Sequence, residues 1–147
     1  QEFARAGAEE VVLADTAGLA DPLAVEELLS VLRSAAPGFG TALHLHDTRG
    51  LGLANALRAM QLGVSRFDTS AGGMGGCPFH PGAAGNIPTE DTAYLCSRLG
   101  VSTGIDLQGL LGVTQELEAL YHKELPARIR RGLLSSGNGA CPNPDTG

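Results

Sequence analysis

Two histidines one residue apart, His44 and His46 in the run HLHD, have the types and spacing that most directly suggest chemistry. On an extended strand, residues two apart point to the same side. Both imidazoles therefore project together, while Leu43 and Leu45 face the other way. Two neutral imidazoles held side by side are a natural pair of metal ligands. They can equally make hydrogen bonds to neighbouring loops, and the pair alone leaves both readings open. Asp15 ends an earlier apolar run at the equivalent height. A carboxylate there can bind substrate hydroxyls, act as a base or cap the turn behind it. Arg49, just past Asp47, can receive an anionic group or stay a surface charge.

A third concentration of chemistry is GGMGGCPFHPGAAGN, from Gly72 to Asn86. It is not a dinucleotide fingerprint, because Pro78 stands where the third glycine belongs. It is not a nucleotide phosphate loop, because no Gly-Lys-Ser/Thr occurs. Glycines leave the backbone N–H groups beside Cys77 unshielded, and such an environment favours a thiolate. A cysteine on a flexible loop can give or take a proton while closing over a substrate. Cys96, within an amphipathic helical pattern, and Cys141, near the end, read as inert. His80 reads as a loop residue and His122 as a solvated helix-end cation.

The elements that must position these groups follow from apolar patterning. Val11–Ala14 is a continuous apolar run, as in a strand buried on both faces of a parallel sheet. Asp21-Pro22 provides an N-cap and a first-turn proline for a helix with Val25, Leu28, Leu32 and Ala35 on one face, ending before Pro37-Gly38. TALHLHD is the next strand. A helix over Leu51–Leu62 follows, with Leu53, Leu57 and Met60 as its stripe and Gly63 as its stop. VSRFDTS is a third strand. Thr89 opens a helix that closes at Gly100, and Asp106 caps a last one carrying Leu107, Leu110, Leu111, Thr114, Leu117 and Tyr121. The strand centres near Leu13, Leu43 and Phe67 are 30 and 24 residues apart, one βα unit each.

This alternation predicts an α/β fold with a parallel sheet. Three or four βα units make half of a (β/α)8 barrel, which needs roughly 250 residues to close; a small doubly wound sheet is the alternative. Residues 1–125 read as this partial barrel and 126–147 as a disordered tail. The opening QEFARAGA reads like the last turns of a helix already under way, which suggests a fragment. Of the 147 residues 43% are apolar but only 4% aromatic, so the core is aliphatic. A net charge of −6 with scattered basic residues argues against nucleic acid and against an anionic membrane surface as partners. No apolar run approaches the ~20 residues of a membrane span. Three widely spaced cysteines argue against a disulfide framework, so reduced thiols in a cytoplasm-like compartment are expected. No targeting segment is visible; the expectation is a cytoplasmic protein, or a mitochondrial one in a eukaryote.

Taken together, HLHDTRGLGLANAL, FDTSAGGMGGCPFHPGAAGN and PTEDTAYLCSRLGVSTGIDL resemble the C-terminal half of the 3-hydroxy-3-methylglutaryl-CoA lyases, a family of metal-dependent (β/α)8 (TIM-barrel) lyases. The resemblance runs from about Val11 to Leu120. It implies that His44, His46 and the side-chain oxygen of Asn86 bind Mg²⁺ or Mn²⁺. It also implies that His44 takes part in proton transfer, that Cys77 helps protonate the product enolate, and that Asp15 lines the pocket. The implied reaction is retro-Claisen cleavage of an acyl-CoA into acetyl-CoA and acetoacetate. Related Claisen-type synthases and aldolases share the paired histidines and the later asparagine but lack the Gly-Gly-Cys-Pro loop. The family's Arg-Asp pair on the first barrel strand has no match here, so the isolated chain is expected to be inactive. The complete protein is expected to be a homo-oligomer. The competing expectations are a lyase or aldolase for another 3-hydroxyacyl-CoA or hydroxy-oxo acid, an amidohydrolase-type zinc hydrolase, and a non-catalytic fragment.

Overall fold

Strands and helices alternate as the patterning requires. The computed structural model describes residues 2–76 and 84–135, which form two compact units. The first comprises the chain up to Asp68 together with residues 75–86. The second comprises Thr69–Met74 and the chain from Ile87.

In the first unit the order is α1 (Glu2–Arg5), β1 (Glu10–Asp15), α2 (Pro22–Ala35), β2 (Gly40–Leu45), α3 (Gly52–Gln61) and β3 (Phe67–Asp68). The strands form one parallel sheet in the order β1-β2-β3. The Asp21 carboxylate accepts from the N–H groups of Leu23 (2.9 Å) and Ala24 (2.8 Å), so Asp21-Pro22 opens α2 as its residue types require. Leu29, Leu43, Leu45, Ala56 and Ala59 make the core.

Several sequence expectations are corrected here. On β1, Val12 is 46% exposed, so the apolar run is not covered on both faces. On α2 the inward face runs through Val25 and Leu29, while Leu28 is exposed. On α3 the buried face is Gly52, Asn55, Ala56 and Ala59, with the larger Leu53, Leu57 and Met60 only half-covered. Small residues win because they let α3 lie close, and the Asn55 amide donates to the Ala20 carbonyl (2.9 Å). The third strand shrinks to Phe67–Asp68.

In the second unit a 3-10 turn (Ala71–Gly73) precedes α4 (Thr89–Arg98), α5 (Leu107–Tyr121) and α6 (Arg128–Ser135). Asp106 caps α5 through the Gln108 N–H, and His122 ends it in the left-handed region at φ 49°. Tyr121 is exposed rather than part of the stripe, and Leu111 and Thr114 carry the buried face. The predicted tail also begins too early. Asp91 accepts from the N–H groups of Arg128 (3.0 Å) and Ile129 (2.8 Å), and that cap starts a helix where no periodicity showed. The rest of the predicted tail, from residue 136, lies outside the described residues.

Candidate metal centre

Each predicted site residue among those described comes from the C-terminal end of a strand or from the segment returning to it. His44 lies one residue before the end of β2 and His46 one residue after it. Their Nε2 atoms are 3.1 Å apart, with ring centroids at 5.1 Å and planes inclined by 49°. The spacing read from the sequence therefore does bring both rings to one point. His46 is buried, at 5% exposure. Burial, and next the proximity of His44, lower its proton affinity below the usual histidine value. The Asp15 charge, the Ala84 carbonyl and the Asn86 side chain act in the opposite sense.

Asn86 reaches the site by pairing. It forms an isolated antiparallel bridge with His46, and the Asp47 N–H donates to the Gly85 carbonyl (3.2 Å). The Cβ that Gly75 lacks would stand 3.9 Å from the Asn86 nitrogen and Oδ1, so Gly75 and the last residue of the run meet. A φ of +114° at Gly75 makes glycine the residue suited to this approach. Cys77 and His80 lie between them, outside the described residues, as does Cys141.

Asp15 is placed differently from the histidines. The strand register aligns it with Leu45, whereas Ala14 aligns with His44. Both its oxygens are engaged by backbone, accepting from Leu19 N–H (2.9 Å) and Ala20 N–H (3.0 Å). It caps the β1–α2 turn, and only its charge reaches His46. Arg49 has become a strap between loops, donating to the carbonyls of Ala17 and Gly18 at 3.0 Å each. Gly18 sits so close to Thr48 that a Cβ would approach Thr48 Cβ within 2.8 Å.

Two acidic residues matter more than the sequence suggested. Asp68 pairs in register with His44, and its Oδ2 lies 3.4 Å from His44 Nδ1. A signal for it was present: an Asp-Thr pair stands at or just past the end of each strand, at Asp15-Thr16, Asp47-Thr48 and Asp68-Thr69. Glu90, in the second unit, is fully buried. Both its oxygens accept the Gly72 N–H (2.8 and 2.9 Å), and the Thr114 hydroxyl donates to it as well.

The donor set fits a divalent cation. Two ligand atoms at right angles and ~2.1 Å from one octahedral ion stand ~3.0 Å apart, and the Nε2 pair meets that spacing. His46 Nδ1 is buried without a hydrogen-bond partner. A proton on Nδ1 turned toward the nearby Ala84 carbonyl would free Nε2 for the ion. Among the described residues no three His, Cys, Asp or Glu side chains gather to hold an ion, and Asn86 is the neutral oxygen donor paired with His46.

The HMGL-like family model matches residues 1–117, and the chain belongs to that family. Its fold is part of a (β/α)8 barrel. Among relatives, it is 44% identical over 130 residues to a hydroxymethylglutaryl-CoA lyase of Bacillus subtilis, covering 88% of this chain and 44% of the relative. It is 46% identical over 123 residues to the (R)-citramalyl-CoA lyase of Chloroflexus aurantiacus, covering 84% and 39% respectively. A solved HMG-CoA lyase from Acinetobacter baumannii, in complex with coenzyme A and 3-methylmalate, superimposes with a TM-score of 0.82 at 40% identity, over 96% of this chain and 46% of that one. The chain thus spans less than half the length of the curated relatives it matches.

Proposed function

We propose that the full gene product is a divalent-metal-dependent carbon–carbon lyase that cleaves 3-hydroxy-3-methylglutaryl-CoA into acetyl-CoA and acetoacetate. The observation that carries this reading is the convergence of His44 and His46 Nε2 beside Asn86, at the end of a parallel strand. The similarity to hydroxymethylglutaryl-CoA lyases supports the substrate class.

His44, His46 and the Asn86 side-chain oxygen would hold Mg²⁺ or Mn²⁺. When bound, the ion supplies a Lewis acid that acidifies the substrate's tertiary hydroxyl and polarises the carbonyl forming there. The hydroxyl proton leaves to a base, and the O–H electron pair becomes the new C=O of acetoacetate. The C2–C3 bond breaks, and its electron pair stays on C2 as the acetyl-CoA enolate. Cys77 gives its Sγ proton to that carbon, completing acetyl-CoA. The ligand and base roles assigned to His44 compete for one ring. Its Nε2 faces His46 and its Nδ1 faces Asp68, which supports the ligand role and leaves the hydroxyl proton to another group.

The relative that acts as an (R)-citramalyl-CoA lyase supports a second reading, cleavage of that thioester by the same chemistry. The full gene product should be assayed on both thioesters, with Mn²⁺ and with chelator. Turnover of 3-hydroxy-3-methylglutaryl-CoA that vanishes on chelation is the expected result. Cleavage of citramalyl-CoA alone would replace the substrate, and turnover indifferent to chelator would remove the ion from the scheme.

A further inference from the structure

We propose that Asp68 is a positioning residue for His44. By accepting a hydrogen bond from Nδ1–H, its carboxylate holds the ring in the tautomer that presents an unprotonated Nε2 to the ion. The proposal rests on the metal reading above and adds to it a residue from the neighbouring strand.

The geometry begins with the sheet. His44 and Asp68 are register partners on adjacent parallel strands, so their side chains leave the same face at neighbouring positions. Asp68 Oδ2 then lies 3.4 Å from Nδ1, at the opposite end of the ring from the Nε2 that faces His46. A neutral imidazole carries one N–H. With the proton on Nδ1, it points at a carboxylate and Nε2 offers a lone pair. With the proton on Nε2, a lone pair is set against a carboxylate oxygen and an N–H occupies the ion's direction. The first arrangement is favoured at both ends of the ring. A carboxylate behind a metal-bound histidine also increases the basicity of the ligating nitrogen. The separation of 3.4 Å exceeds a normal N–H···O distance and should shorten as the ring polarises toward an ion. The Asp68 side chain is 56% exposed. Its replacement therefore disturbs packing little, and its effects should be read at His44 rather than in stability.

The test uses the full gene product with Asp68→Ala and the near-isosteric Asp68→Asn, which keeps an oxygen acceptor if the alanine variant fails to fold. Nitrogen-15 resonance of the metal-free protein reports which ring nitrogen of His44 carries the proton. Paramagnetic resonance of added Mn²⁺ reports affinity, and a thermal melt reports the fold. The wild type should show His44 protonated at Nδ1. Asp68→Ala should move the proton toward Nε2 and weaken Mn²⁺ binding by ~10- to 100-fold at an unchanged melting temperature, with a smaller loss in Asp68→Asn. A wild-type His44 protonated at Nε2 would overturn the proposal. So would Mn²⁺ affinity in the better-folded variant within twofold of wild type. Should the wild type bind no Mn²⁺, the metal reading fails instead, and the tautomer by itself decides the role of Asp68.

Discussion

Burial pushes the Cys96 thiol above its ordinary value, because a thiolate loses its hydration inside α4. A folded value above the unfolded one stabilises the protein fully at lower pH, and the contribution is lost as pH rises past about 9.0, the ordinary thiol value. Cys96 should therefore resist alkylation in the native protein and react once denaturant is added. Peptide-resolved mass spectrometry checks this; equal labelling in both states would contradict the burial argument. Cys77 has a different expected part. Cys77→Ser should lower turnover by ~10²- to 10⁴-fold, the usual worth of a positioned acid, while Mn²⁺ affinity is unchanged. Steady-state rates and a metal titration on the same preparation separate the two effects, and an unchanged rate would remove the thiol from the mechanism.

At the scale of elements, the first glycine of the run is held within the second unit by α4 and by the segment between α5 and α6. Gly72 has φ +65°, and a Cβ there would collide with the Leu125 side chain. Its N–H is taken by Glu90 on α4, and its carbonyl accepts from the Ala127 N–H (3.2 Å). Gly72→Ala should cost about 2–4 kcal/mol, combining left-handed strain with overpacking. Gly112 on α5 meets nothing within 4 Å of an added Cβ, so Gly112→Ala should stabilise by about 0.5–1 kcal/mol. Denaturant midpoints of the two variants should move in opposite directions. If both moved together, packing at Gly72 would not be the cause.

At the scale of the molecule, the described residues form three parallel strands where a closed barrel has eight. Among the described residues β1 pairs only with β2, and the exposed apolar side chains include Val12, Leu19, Leu23, Leu28 and Val31. An unpaired edge beside exposed apolar surface favours association with another chain. We expect the 147-residue chain produced by itself to self-associate and to show no lyase turnover, while the full gene product turns over. Sedimentation and the acyl-CoA assay test the two halves of that statement. A monodisperse, active 147-residue monomer would contradict both.

The fold and the paired histidines were legible because they depend on short-range periodicity. Alternation on one strand makes His44 and His46 neighbours, whatever surrounds them. Asp21-Pro22 and Asp106 likewise act within a few residues of themselves. The inward faces of α2 and α3 were misjudged because a stripe of large apolar residues says nothing about which partner the helix meets. What joins residues distant in sequence was decided by tertiary structure alone. Strand register set Asp68 against His44 across 24 residues, and chain return paired Asn86 with His46 across 40. The same register aligned Asp15 with Leu45 and left its carboxylate to the turn. The sequence by itself therefore determined that two imidazoles lie side by side at the end of one strand. Which acid stands behind them, and which closes a turn, depends on the lateral alignment of strands, a contact that no local spacing encodes.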